Sequence, residues 1–235
     1  AAEQFAAPRI VFMVESENTI VVIPARMSST RLPGKPLADI NGLPMIVHVW
    51  KRAVEANVGQ VLVAAAEIQI VEIIRNHGGD AIVTDPALPS GSDRISAALK
   101  MRDVHEKFEY VVNLQGDLPA IDPLAVRRCL AGLTNEQVDI ATIAALIEND
   151  EDVKNPNLVK AISSLGNDRE VAYARDFVRE VGPEHEAPYW HHIGVYAYRR
   201  QSLSRFVSLP VSTRENLRKL EQMRALDNDM RIAVV

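Results

Sequence analysis

Through the first 150 residues, short apolar runs alternate with stretches of helical periodicity, and few folds accept that rhythm. Short strands that are apolar on both faces, each followed by an amphipathic helix, are the pattern of βαβ units and of a mostly parallel sheet covered by helices. "TIVVIPA" (19–25), "QVLVAAA" (60–66), "AIVT" (81–84) and "YVVNL" (110–114) read as the strands. From Pro44, a good first helical residue, Met45, Ile46, Val49, Trp50, Ala53 and Val54 form one helical stripe. A second helix runs through Ile70, Ile73 and Ile74 and stops at Gly78-Gly79. "PSGSDR" opens a third helix over 95–102, and "IDPLAVRRCL" is a fourth, with Asp122 as cap and Pro123 as first residue.

The later sequence changes character. "VDIATIAAL", "NLVKAIS" and "HHIGVYAYR" read as strands, and 213–227 reads as one charged amphipathic helix with Leu217, Leu220, Met223 and Leu226 along one side. No internal repeat, low-complexity tract or linker marks a domain boundary, so 20–235 reads as a single domain preceded by a tail, 1–19.

Composition narrows the function classes. A chain of 235 residues with 47% hydrophobic content supports one sizeable core. Its 26 Lys and Arg against 31 Asp and Glu give a net charge of -5, which argues against a nucleic-acid binder working through a broad basic face. Any chemistry with phosphate is therefore local. The single cysteine, Cys129, excludes an intramolecular disulfide framework and fits a reducing compartment. The short apolar stretch "IVFMV" in the tail makes a poor signal peptide, and no run is long enough to span a bilayer.

In an open parallel sheet, ligands sit beyond the carboxyl ends of the strands. Three unusual loops fall there: 24–36, 86–94 and "QGDLP" (115–119). The first, "PARMSSTRLPGKPL", concentrates Arg26, Arg31 and Lys35 with three hydroxyls and a Pro-Gly turn. It is neither a Walker A loop, since Pro36 follows Gly34-Lys35, nor a GxGxxG fingerprint. Guanidinium forks and a lysine point charge suit a triphosphate and its leaving pyrophosphate; a solvated surface loop is the alternative. Asp117, held between an apolar strand and a proline, suits Mg²⁺, which prefers few protein oxygens plus substrate phosphates, although an Asp at this place also suits its own turn. His191 and His192 are adjacent on a strand, so they point to opposite faces and do not share a pocket. No spacing suggests a zinc site or a GxSxG elbow.

Five ordered motifs carry a resemblance. "IPARMSSTRLPGKPL", "PSGSDR", "VVNLQGDLP", "HHIGVYAYR" and "LEQMRALDN" resemble the corresponding segments of the 3-deoxy-manno-octulosonate (KDO) cytidylyltransferases, also called CMP-KDO synthetases. The resemblance implies an α/β, nucleotide-diphospho-sugar transferase-like fold: a Rossmann-like mixed sheet flanked by helices, in a single domain with a dimerisation and acceptor subregion. It implies CTP and KDO as substrates, Mg²⁺ as cofactor, a homodimer, and a cytoplasmic role supplying CMP-KDO for lipopolysaccharide. Residues 20–150 would form the nucleotide-binding half and 151–235 the sugar-acid-binding and dimerisation half. Carried across motif by motif, Arg26, Arg31 and Lys35 hold the triphosphate, Ser90 and Gly91 shape the cytidine pocket, and Asp117 binds the metal. Gln115, Arg175, His192, Tyr196, Glu221 and Gln222 face the sugar acid. A cytidylyltransferase for another sugar acid, such as a sialic acid, and a non-catalytic nucleotide-binding protein are the competing readings.

The chain departs from the family pattern in three places. "VAAAE" stands where the family reads VATDD, removing an acidic pair; "VAYAR" is a residue short of ALYFSR; and the sequence stops at "RIAVV", before the family's GVDTPEDL segment with its second magnesium-binding Asp.

Overall fold

The computed structural model describes residues 16–28, 32–166 and 170–235. In chain order its elements are β1 (Thr19–Ala25), β2 (Asp39–Ile40), β3 (Leu43–Pro44), α1 (Met45–Ala56), β4 (Gln60–Ala65), α2 (Ile68–Asn76), β5 (Asp80–Val83), α3 (Gly91–Arg102), β6 (Tyr110–Leu114), α4 (Pro123–Ala131), β7 (Ile140–Leu146), α5 (Asp150–Lys154), β8 (Lys160–Ser163), β9 (Ala172–Val178), β10 (Trp190–Arg199), α6 (Arg200–Ser208), α7 (Thr213–Arg218), α8 (Met223–Leu226) and β11 (Ile232–Val234).

Nine strands form one sheet in the order β5-β4-β1-β6-β10-β7-β11-β9-β8, with β8 also meeting β10. The first four pair in parallel, as the rhythm of strand and helix requires. β10 then inserts antiparallel between β6 and β7, so the remainder of the sheet is mixed. β1 is deeply packed: Val21, Val22 and Ile23 are wholly buried because helices cover both faces. One face carries Ile46, Val49, Ile70 and Val126 from α1, α2 and α4; the other carries Ile95 and Leu99 from α3 and Phe206 from α6.

Two expected helices differ from their sequence reading. The helix after "PSGSDR" begins at Gly91 rather than at residue 95, because Ser90 is its N-cap, accepting from the Asp93 amide at 3.2 Å and donating to Asp93 Oδ2 at 2.7 Å. The helix expected over 213–227 is broken. A capping box between Ser212 and Glu215 starts α7, and Lys219 in the left-handed region ends it after 6 residues. Leu217 is then 78% exposed whereas Leu220 and Met223 are buried, so the apolar stripe is not continuous. The cause is a tertiary ion pair: Arg224 grips Glu215 with Nε and Nη2 at 2.8 and 2.7 Å and stacks over Phe206, folding α8 back against α7.

Candidate active site

The three strand-end loops converge on one cleft of about 850 Å³ at the carboxyl edge of β1, β5 and β6. Pro24 is the hinge of the convergence. Gly116 lies so close to the Pro24 carbonyl that a Cβ would stand 2.9 Å from its oxygen, so only glycine lets the "QGDLP" loop lie against β1. Arg26 and Lys35 line the cleft from the first loop, Ser90 and Gly91 from the second, and Gln115 and Asp117 from the third. Because α3 begins at Gly91, the cleft also receives the amino-terminal end of a 12-residue helix, where free amide groups favour an anion. Arg31 lies outside the described residues.

Lys35 Nζ donates to Asp117 Oδ2 at 2.6 Å, with their side chains 34% and 50% exposed. This half-exposed carboxylate beside an open cleft has the donor chemistry of a Mg²⁺ site completed by substrate phosphates and water. Among the described residues no cluster of three or more His, Cys, Asp or Glu would cage a metal by protein ligands alone. The residues present therefore fit a Mg²⁺ held by Asp117 together with phosphate and water oxygens, and not one caged by protein ligands.

The structure adds one residue to the cleft and a second behind its first loop. Arg94, the last letter of "PSGSDR", is 2% exposed and lines the cavity. Its Nη1 donates to Thr84 Oγ1 at 2.6 Å and to the Asp85 carbonyl, while Nη2 has no partner among the described residues. Burial, and after it the positive charge of Arg26, lowers its pKa. The second is Glu67. The "VAAAE" departure does not strip this edge of acid: the Glu67 carboxylate accepts from the Met27 amide at 3.0 Å. Arg94 was visible in the motif as a cation among turn residues; the reach of Glu67 across 40 residues leaves no local signal.

The acceptor candidates form a second group on β10 and the turn that leads into α8. His192 is buried, with Nε2 3.0 Å from Thr142 Oγ1 and its ring packed against Phe177 and Tyr196. Desolvation, reinforced by His191, pushes its pKa down to about 3, so it is a neutral imidazole at ordinary pH. His191 pairs with Ala145 and His192 with Ala144 in regular register, which keeps the two rings on opposite faces as expected. The Tyr196 hydroxyl donates to Gln222 Oε1 at 3.3 Å. Gln222 Nε2 and Glu221 Oε1 are buried without partners among the described residues, and desolvation raises the Glu221 pKa while Ser90, Arg224 and Ser92 oppose it.

This group abuts the cleft at two points. Glu221 faces Ser90, the cap of α3. Gln115 packs over Gly194 of β10, where any Cβ would come 3.3 Å from its Cγ, and its Nε2 donates to Asn113 Oδ1 at 2.8 Å. Arg175 is placed differently: it is exposed on β9, and its Nη2 reaches the Ser163 carbonyl at 3.4 Å. Cys129 is wholly buried on α4, its Sγ directed at the Ala141 carbonyl and its thiol pushed up by burial, which leaves no thiolate nucleophile there.

An α/β sheet with cationic loops and a lone strand-end carboxylate around one cleft defines a nucleotidyltransferase architecture, and comparison with known proteins agrees. The family model described as cytidylyltransferase matches residues 20–232, and the chain belongs to that family. It is 52% identical over 213 residues to a 3-deoxy-manno-octulosonate cytidylyltransferase of Paramagnetospirillum magneticum, covering 91% of this chain and 87% of the relative. It is 53% identical over 217 residues to the same-named protein of Parvibaculum lavamentivorans, covering 92% and 84%. A solved structure of CMP:2-keto-3-deoxy-manno-octonic acid synthetase complexed with CTP superposes with a TM-score of 0.81 at 36% identity, covering 92% of this chain and 88% of that one. Among the described residues no helix is long and apolar enough to cross a membrane.

Proposed function

We propose that this protein transfers CMP from CTP to the anomeric hydroxyl of KDO, releasing pyrophosphate. The observation that carries the reading is the convergence of Arg26, Lys35, Arg94 and Asp117 on one cleft that touches the buried polar group of β10 and the turn into α8, in a chain half identical to KDO cytidylyltransferases. Residues 20–150 supply the nucleotide half and 151–235 the acceptor half. Arg26, Lys35 and, in the first loop, Arg31 neutralise the triphosphate, while Ser90 and Gly91 bound the base and ribose.

Asp117 would hold Mg²⁺, which when bound adds charge neutralisation at the phosphates. The chain's own part is positioning. Gln115, Glu221 and Gln222 orient the sugar acid, with Tyr196 fixing Gln222 and neutral His192 supporting the ring stack. The sugar hydroxyl attacks the α-phosphorus as the bond to pyrophosphate breaks, in a single in-line displacement that needs no covalent enzyme intermediate. A homodimer built through 151–235, a cytoplasmic location and a role in lipopolysaccharide supply belong to the same reading.

The test is pyrophosphate release from CTP with KDO, with sialic acid and with no acceptor. Turnover with KDO alone is expected. Turnover with sialic acid instead would change the acceptor, and CTP binding without turnover would make the protein a nucleotide-binding one.

A further inference from the structure

Glu67 stands at the N-cap of α2 but makes no hydrogen bond to its own helix. Cap residues ordinarily spend their side chain on the amides of the first turn, and Glu is a long, poor cap compared with Asp. Here Oε2 instead crosses to the Met27 amide, 3.0 Å away. On the other side of the same residue, the Met27 carbonyl accepts from the Gly34 amide at 3.0 Å. Met27 is thus held at both its peptide groups: it directly follows Arg26, and its partner Gly34 directly precedes the turn that carries Lys35. The strand ladder delivers Glu67 to this point, since the Ala66 amide donates to the Ala25 carbonyl at 2.9 Å and so sets residue 67 beside residue 27. The negative charge also counters the mutual repulsion of Arg26 and Arg94, both of which line the cleft.

We infer that Glu67 is a positioning residue for the nucleotide: it latches the base of the first loop through the Met27 amide and so sets the spacing of Arg26 and Lys35 across the phosphates. This deepens the CTP reading of the cleft and rests on it. The side chain lies outside the acceptor group, so the latch acts on CTP and leaves KDO untouched. Length matters more than charge, because a shorter carboxylate falls back on the amides of α2.

The test uses Glu67→Asp, Glu67→Gln and Glu67→Ala in the full chain. Asp and Ala should raise the KM for CTP by about three- to tenfold, the loss of one hydrogen bond, with the KM for KDO unchanged. Gln keeps an acceptor at the same reach and should stay within about twofold of wild type. Independently of turnover, hydrogen exchange of the Met27 amide should quicken in Asp and Ala and stay slow in Gln. Unchanged Met27 exchange in both Asp and Ala, or a KM for KDO that moves with that for CTP, overturns the latch. Wild-type protein without CTP-dependent pyrophosphate release would sink the functional reading, while the exchange measurement would still decide the latch.

Discussion

The two parts of the candidate site handle polarity in opposite ways. In the cleft, Lys35 and Asp117 sit on loops at strand ends, each at least one-third exposed, and lean on each other across 82 residues. In the acceptor group, Thr142 and His192 are built into strands and Gln222 caps a short helix, all three uncharged and buried, with the Glu221 carboxylate beside them. The difference is one of desolvation. Charges meant for phosphate stay hydrated until the anion arrives, because burying them unpaired costs several kcal/mol. Neutral groups meant for hydroxyls can be packed in advance, provided hydrogen bonds satisfy most of their atoms. Arg94 stands between the two regimes, a buried cation with one nitrogen left for a ligand.

Perturbing each part should therefore have a distinct signature. The largest effect is expected from Asp117→Ala, which should lower kcat/KM by about a thousandfold, as for loss of a group acting on transition-state charge, while circular dichroism stays native. Activity near wild type would remove Asp117 from the metal role. Arg26→Ala and Lys35→Ala come next. Each removes a charge-assisted contact of about 1.5–3 kcal/mol, so CTP affinity measured by calorimetry should fall by roughly ten- to a hundredfold. Unchanged affinity in both would return the first loop to ordinary surface.

On the buried side the expected readout is stability. His192 titrates at 6.5 when unfolded and at about 3 when folded, so the unfolded chain takes up the proton first. The stability it contributes is present above the ordinary histidine range and is lost as pH falls toward 3, by about 1.4 kcal/mol per unit. Urea unfolding at pH 7.5 and 5.5 should show that loss in wild type and a flatter response in His192→Gln. Equal slopes would mean the imidazole is not kept neutral by burial. Smallest is Tyr196→Phe. Removing the donor to Gln222 should cost about 1 kcal/mol, raising the KM for KDO a few-fold and leaving that for CTP alone. A shift in the CTP constant would blur the separation of the two parts.

Much of the nucleotide half was legible in the chain. "TIVVIPA" and "YVVNL" form β1 and β6 within their expected bounds, and Asp122 caps α4, accepting from the Leu124 amide at 2.8 Å. The acceptor half was less so. β9, β11 and α6 were not read as elements, and the 213–227 helix was read as continuous, because local periodicity carries no trace of the Arg224–Glu215 pair that breaks it.

The sequence by itself determined where the cleft must lie. Parallel winding brings the carboxyl ends of β1, β5 and β6 to one edge, so any loop that follows those strands meets the others there. Tertiary structure alone decided which side chains meet at that edge. Glu67 reaches Met27, Arg94 is buried beside Thr84, and the fold-back of α8 carries Glu221 to Ser90. Such contacts depend on the relative height of elements joined by long connections, and that height is set by the packing of the whole sheet rather than by any local pattern of residues.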